Sequence, residues 1–510
     1  MMRRILLYAI LTSFSIGAIH AFPIEQEGLK LHSMVLKREV RYSVILPEGY
    51  EQGTREYPVL YMFHGIGGDE TSWLEYGNVA WTMDRMVKAG SIKPFIIVIP
   101  NGYLSYYSDA YDGSFSYETF FIKEFIPFID QNYRTQKFTA SRSVIGFSMG
   151  GFGALSICLR HRDLFGSVIA LSPSIRTDKQ YVEEGPQGDW DQQWGRIFGG
   201  IRMGGSQRLT EYYKERSPYH ILSHCPAVDL KSFGIMIDIG DKEGSLCESN
   251  EELHKLLLQR GVSHEWEVRS GGHDFLCWNA ALPKAFCFAN RYFNNRKETD
   301  VEQKYVANDN APVRVLPDIT AYYPKQAATA QRKYPIIYIQ GDISQQQQQQ
   351  LVSRFRQMVS ENKTWPAILC FVRTGKDLLS SISDVESSFS EIRTTQRMRA
   401  LITVGNDINQ CIRSMQHENL FTGIVCVNSE ANEDEAYTFV KTIRLYERYP
   451  RCWIEVNSEF KKYVFSSRIH ILLRELGVNH EFRSRDCRDN YELFSHWEEW
   501  LLYLNQRIHV

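Results

Sequence analysis

Apolar and polar positions along the chain fall into two alternating patterns. Short apolar runs at residues 42–46, 58–63, 95–99, 143–145, 167–171 and 234–237 are rich in β-branched and aromatic side chains. They read as strands buried on both faces. Helix-length amphipathic segments lie between and after them, among them residues 152–160 and 280–294. Strands alternating with helices predict an α/β fold built on a doubly wound, mainly parallel sheet.

The pattern then recurs. Residues 55–61 resemble 332–338, 133–135 resemble 392–394, 161–165 resemble 417–421 and 261–265 resemble 477–481, all in the same order. The offsets are 277, 259, 256 and 216, so the second copy has lost about 18 residues before its middle and about 40 after it. Loss of loops between retained core elements has this signature, and it predicts a second, degenerate α/β domain of the same kind. The polar, aperiodic stretch 298–312 reads as a linker between a first domain at 22–297 and a second at 313–510. Six glutamines at 345–350 follow Ser344 and read as a helix start or a surface loop.

Residues 1–21 carry two arginines, then an apolar run at 5–19, then the small Ala21. That order predicts a secretory signal peptide and a secreted or periplasmic protein. No later run approaches the roughly 18 to 20 apolar residues of a membrane span, so stable membrane insertion is not expected.

With 43% hydrophobic and 23% charged residues, the 510-residue chain can bury enough surface to exclude disorder. Its 58 basic and 60 acidic side chains leave a net charge of −2, without the footprint of a dedicated nucleic-acid binder. Ten cysteines divide five and five about Lys304, with no C-x-x-C pair and no zinc-ligand spacing. Neither a metal nor an organic cofactor is expected, and disulfide connectivity stays open.

Residues 146–151 (Gly-Phe-Ser-Met-Gly-Gly) lie between a strand and a helix. A serine between such glycines can occupy a tight strand-to-helix turn, the nucleophile elbow of α/β-hydrolases, with a helix N-terminus facing developing negative charge. A serine nucleophile needs a base, and the base needs a carboxylate. In this fold the chain order is serine, acid, histidine. His273, on the glycine loop 271–275 after a strand, is the best base; His161, His220, His224, His254 and His264 are expected in surface or capping roles. Asp241 and Glu243 are the live acids, and Asp238, still at its strand end, is expected to hydrogen-bond loop backbone. Upstream, the glycine-rich turn 64–68 can aim the Ile66 N–H, together with that of Met149, at a carbonyl oxygen as it becomes an oxyanion. His64 is expected to be a structural contact of that turn.

Taken together, residues 30–295 resemble the esterase D and feruloyl esterase family, which includes the family-one carbohydrate esterases and is similar to the mycolyltransferase-like hydrolases. The resemblance rests on segments 64–73, 92–101, 117–120, 146–151 and 271–274. It implies Ser148 as nucleophile, His273 as base, and amides near Ile66 and Met149 as the oxyanion hole. Where the family has Gly-x-x-Asp, this chain reads Gly240-Asp241-Lys242-Glu243, which favours Glu243 over Asp241 as the acid. In the second copy, Asp407 stands against Ser148, residues 485–490 lack a histidine, and the oxyanion turn has become 340–342. That domain is expected to be non-catalytic.

Aromatic residues crowd 103–117 and recur at Trp190, Trp194 and Phe198; they either hold a phenolic acyl group or sugar, or pack a lid onto the core. Trp73, Tyr107 and Trp278 are expected to line the substrate. Cys247 and Cys277, each four residues after a triad candidate, are either bonded or buried free thiols. The expected function is a secreted serine carboxylesterase that takes a small-molecule or polysaccharide ester, with feruloyl or acetyl esters on xylan favoured by the resemblance. The alternatives are a catalytically silent carbohydrate- or partner-binding protein and an acyltransferase of the mycolyltransferase-like type.

Overall fold

The computed structural model describes residues 23–293, 313–324, 333–361, 363–405, 412–413, 420–429, 433–444, 450–457, 463–485 and 496–508. The expected signal peptide, the linker 298–312 and Asp407 lie outside the described residues.

The first half contributes eight strands: β1 (Ile24–Ser33), β2 (Arg38–Leu46), β3 (Val59–Phe63), β4 (Ile96–Pro100), β5 (Arg142–Phe147), β6 (Ser167–Leu171), β7 (Gly234–Gly240) and β8 (Glu265–Arg269). β3 to β7 are buried at every position, as expected for a sheet covered on both faces. β1 was not visible as an apolar run, because its half-exposed residues alternate along an edge strand broken by an irregularity between Gln26 and Leu29. The second half adds β9 (Val313–Leu316), β10 (Ile319–Tyr322), β11 (Ile336–Gly341), β12 (Ile368–Arg373), β13 (Arg399–Val404), β14 (Gly423–Val427), β15 (Arg451–Asn457) and β16 (His480–Arg485).

The 16 strands among the described residues join one sheet in the order β1-β2-β4-β3-β5-β6-β7-β8-β16-β15-β14-β13-β11-β12-β10-β9. Read inward from each free edge, the two halves have the same strand order. They meet where β8 and β16 run antiparallel, with Val268 opposite Phe482, Glu267 opposite Arg483 and Trp266 opposite Ser484. One core layer crosses this seam and includes Trp266 and Val268 with Ile454 and Phe482. The opposite sheet face carries a separate core in each half.

Backbone hydrogen bonds correct the alignment of the two copies. Ser148 N donates to Leu171 O at 3.0 Å, and the bond in the same place in the second half is Gly405 N to Val427 O at 2.9 Å. The counterpart of Ser148 is therefore Gly405, two residues before Asp407. The 133–135 echo is out of register by the same amount, since Tyr57 bridges Thr135 while Tyr334 bridges Ile392. Ladder bonds set register, whereas a short sequence match can slip by one side-chain repeat. The glutamine tract opens the helix Gln345–Ser360 through a reciprocal cap: Gln347 N donates to Ser344 Oγ, and Ser344 N to Gln347 Oε1. Among the described residues no helix is long and apolar enough to cross a membrane.

The tight crossing behind the elbow yields a stability prediction. A Cβ on Gly146 would lie 2.2 Å from Gly150 O, whereas one on Gly188 meets nothing within 4 Å. Gly146→Ala is expected to cost about 3 kcal/mol or more and Gly188→Ala less than about 1 kcal/mol, read from urea denaturation midpoints.

Candidate active site

Ser148 sits between β5 and the helix Met149–Arg160 with φ 55° and ψ −120°. For a residue other than glycine this backbone costs on the order of 1–3 kcal/mol and persists only where neighbours over-determine it. Here Ser148 N is tied to Leu171 O, and Ser148 O accepts from Ser174 N at 3.0 Å. Glycine at 150 lets the helix start press on β3, because a Cβ there would lie 2.6 Å from both Phe63 O and His64 O. The helix Met149–Arg160 therefore begins directly after the serine, and the N–H groups of its first turn have no partner within the helix.

The sheet brings the serine to two loops distant in sequence. His273 Nε2 lies 2.9 Å from Ser148 Oγ, and His273 Nδ1 lies 2.6 Å from Glu243 Oε2. A carboxylate can only accept, so Nδ1 carries the proton and Nε2 is left to accept from the serine hydroxyl. The other carboxylate oxygen, Glu243 Oε1, accepts from Ser172 Oγ at 2.6 Å and from Gly240 N at 2.8 Å. Ser172 Oγ in turn accepts from Trp278 Nε1 at 3.0 Å. The Trp278 ring stacks on Phe147 at 4.2 Å and meets His273 edge-on at 5.1 Å. The carboxylate is buried and the imidazole open, with side chains 1% and 39% exposed.

Of the two acids left open by the sequence, Glu243 touches His273. Asp241 instead ties the acid and base loops together: its Oδ1 accepts from Gly271 N at 2.9 Å and its N donates to Arg269 O at 2.7 Å. Burial pushes its carboxyl up to about 6, against the hydrogen bond from Gly271. Asp238 departs from expectation. Its side chain pairs with Arg269 Nε at 2.6 Å rather than with loop backbone, and its carbonyl accepts from Ser172 N at 2.6 Å.

The turn at Gly65 passes directly over the elbow, since a Cβ on Gly65 would fall 2.6 Å from the Phe147 ring and 3.2 Å from Ser148 Cβ. Ile66 follows at once, so its amide and that of Met149 belong to the two backbone segments flanking the hydroxyl. His64 is buried and bonded on both ring nitrogens, to Gly65 O at 2.8 Å and from Gly102 N at 2.7 Å. Burial pushes it down to about 4, which leaves it neutral and structural at neutral pH.

Three expected substrate contacts are corrected. Trp73 is fully buried and donates from Nε1 to Phe63 O at 3.1 Å. Tyr107, also fully buried, stacks on Phe63 at 3.9 Å, and its hydroxyl bonds both the N and the O of His64. Both brace the turn at His64 and Gly65 from behind and present no face to a ligand. Trp278 is committed to Ser172, Phe147 and His273. Exposed apolar side chains on the segments that carry the site include Ile66, Tyr76 and Leu276, at 49%, 58% and 84% exposure.

The lid aromatics Trp190, Trp194 and Phe198 are buried as well, with Tyr106 packed on Trp194 at 4.4 Å. His254 and His264, expected in surface or capping roles, are buried and hydrogen-bonded to each other at 2.6 Å, with His254 stacked on Trp266. Cys247 and Cys277 are buried free thiols, and burial pushes both up. Sequence reasoning missed Ser172, whose only signal was its place just after a strand.

Comparison with known proteins identifies the family of the first half. The Esterase family model matches residues 33–289. An endo-1,4-beta-xylanase/feruloyl esterase of Xylanibacter ruminicola is 40% identical over 250 residues, which cover 48% of this chain and 28% of that protein. A Mycobacterium tuberculosis esterase is 39% identical over 142 residues, 27% of this chain and 30% of its own. The chain thus spans less than a third of the length of these curated relatives. A solved ferulic acid esterase is 30% identical with a TM-score of 0.47, covering 54% of this chain and 99% of its own.

The raised Asp241 carboxyl gives a pH prediction. Between its ordinary value of 3.8 and about 6 the folded state holds the proton more tightly than the unfolded chain, so this group's contribution to stability falls as pH rises through that window. Asp241→Asn, whose amide oxygen still accepts from Gly271 N, should gain in thermal midpoint relative to the parent as pH rises from 4 to 6. A constant difference across that range would contradict it.

Proposed function

Since the chain belongs to the Esterase family and ester hydrolysis is that family's chemistry, we propose that residues 33–289 form a serine carboxylesterase working through Ser148, His273 and Glu243. The observation that carries this reading is the unbroken hydrogen-bonded chain from Ser148 Oγ through His273 to Glu243.

His273 Nε2 takes the hydroxyl proton as Ser148 Oγ attacks the ester carbonyl, and Glu243 stabilises the imidazolium without leaving its own hydrogen bonds. The carbonyl oxygen becomes an oxyanion, met by the amides of Ile66 and Met149 and by the N-terminal end of the helix Met149–Arg160. Collapse expels the alcohol, protonated by His273, and leaves an acyl-enzyme. Water activated by the same imidazole then releases the acid. Trp278 and Ser172 hold the carboxylate and the imidazole in register.

For substrate, we favour feruloyl or acetyl esters on plant polysaccharide. The relative named as a xylanase/feruloyl esterase supports this, as do the exposed Ile66, Tyr76 and Leu276, which offer an apolar rim to an acyl group. Export through residues 1–21 belongs to the same reading, because a polysaccharide is reached outside the cell. The second half is read as non-catalytic, since Gly405 carries no hydroxyl where the first half has Ser148.

A fluorophosphonate should label the parent at Ser148 and leave Ser148→Ala unlabelled; a folded parent that stays unlabelled but retains xylan would favour the binding protein instead. Glu243→Gln should lose on the order of 10³- to 10⁴-fold in kcat while Asp241→Asn stays within about tenfold. The reverse order would reassign the acid. A panel of methyl ferulate, acetylated xylan and a short-chain nitrophenyl ester, with and without a sugar acceptor, separates acyl preference from acyl transfer.

A further inference from the structure

We propose that the second half is a positioning element for the acid and base loops of the first, acting through Glu481 and Arg483 of β16. This inference rests on the esterase reading of the site. β16 reaches those loops by two routes. On the base side, Glu481 Oε1 lies 3.4 Å from the N–H of Ser270, which opens the segment leading to His273. Glu481 is itself held by Arg483, which donates to Glu481 Oε2 at 2.8 Å and to Val268 O of β8 at 2.8 Å.

On the acid side, Arg483 Nε lies 3.4 Å from Glu267 Oε2, which also accepts from Arg269 at 2.5 Å. Arg269 Nε then bonds Asp238 at 2.6 Å, and the Asp238 carbonyl accepts from Ser172, the donor to Glu243. The links from the partner strand toward both reacting loops are hydrogen bonds and ion pairs between buried and partly buried groups.

The seam is also tailored. The two copies share a buried pair at the same ladder positions, Arg269 with Asp238 and Arg485 Nε with Glu455 at 2.8 Å. Likewise Ser172 N bonds Asp238 O where Asn428 N bonds Glu455 O. The copies diverge at the centre of the seam, where Glu267 faces Arg483. Two identical halves would set glutamate against glutamate there, and like charges directly opposite are destabilising. Arginine turns that repulsion into a fork that grips β8. Burying such charges costs more than an apolar contact would, so stability alone does not call for them. What they add is a fixed register between β8 and β16, and hence a fixed departure point for the His273 loop.

The test uses full-length protein. Glu481→Ala removes the acceptor facing Ser270 N, while Glu481→Gln keeps an oxygen there without the charge. The expected result for Glu481→Ala is a fall of about ten- to a hundredfold in kcat on a nitrophenyl ester with KM within about twofold, since small misplacement of reacting groups acts on kcat. Fluorophosphonate labelling of Ser148 should slow in parallel, and Glu481→Gln should restore most of both. A folded Glu481→Ala protein with the parent's kcat and labelling rate would overturn the proposal. If that variant does not fold, Arg483→Lys decides: slowed labelling in a folded protein supports the positioning role, and the parent's rate overturns it. Absence of labelling in the unaltered protein overturns the esterase reading, and this inference with it.

Discussion

The arrangement depends on one buried carboxylate. Glu243 accepts from the imidazole of His273, the hydroxyl of Ser172 and the amide of Gly240, three donors that come from the ends of β8, β6 and β7. Water is nearly excluded from it, so each bond acts in a medium of low polarity and the set behaves as a unit. Losing any one donor would leave a charged oxygen under-satisfied in the interior, a cost that keeps the three strand ends at fixed separation. Orientation of the imidazole toward Ser148 follows from that constraint.

Around this centre the aromatic side chains work as scaffolding. Trp73 and Tyr107 hold the Phe63–His64 backbone from behind, and Trp278 links Ser172 to the ring of Phe147 beside the elbow. Their polar atoms are each bonded within the protein, as buried indole and phenol groups generally are. The result is a rigid floor beneath an open imidazole. The exposed side chains Ile66, Tyr76 and Leu276, not the buried rings, stand open to solvent there.

The second copy of the fold makes a different use of the same topology. Its edge strand β16 closes the edge of β8, removing an exposed ladder that would otherwise be free to pair with other chains. It kept the arginine-carboxylate pair at the strand ends and lost the serine of the elbow, where Gly405 now stands. Retention of the supports without the nucleophile is what a half specialised for packing against its neighbour would show.

Much of this was legible along the chain. Apolar runs announced the parallel core strands, the glycines around Ser148 announced a sharp turn, and the order of Ser148, acid and His273 announced a hydrolase. Those signals are local: period, turn chemistry and spacing survive in one dimension. Other features were not legible, because they arise between segments far apart in sequence. The spacing after Gly240 favoured Glu243 without excluding Asp241, and which of them meets His273 turns on which carboxylate lies over Ser172. The burial of Trp73 and Tyr107 turns on what packs against them. The true counterpart of Ser148 turns on ladder register, which a short echo misjudged by two residues. The amino-acid sequence by itself determined the fold class, the elbow and the two side chains, Ser148 and His273, that meet at it. Only the tertiary structure decided which carboxylate touches His273, the packing of the aromatics and the grip of β16 on β8, because direction and contact between side chains are set once the sheet has brought its strands together.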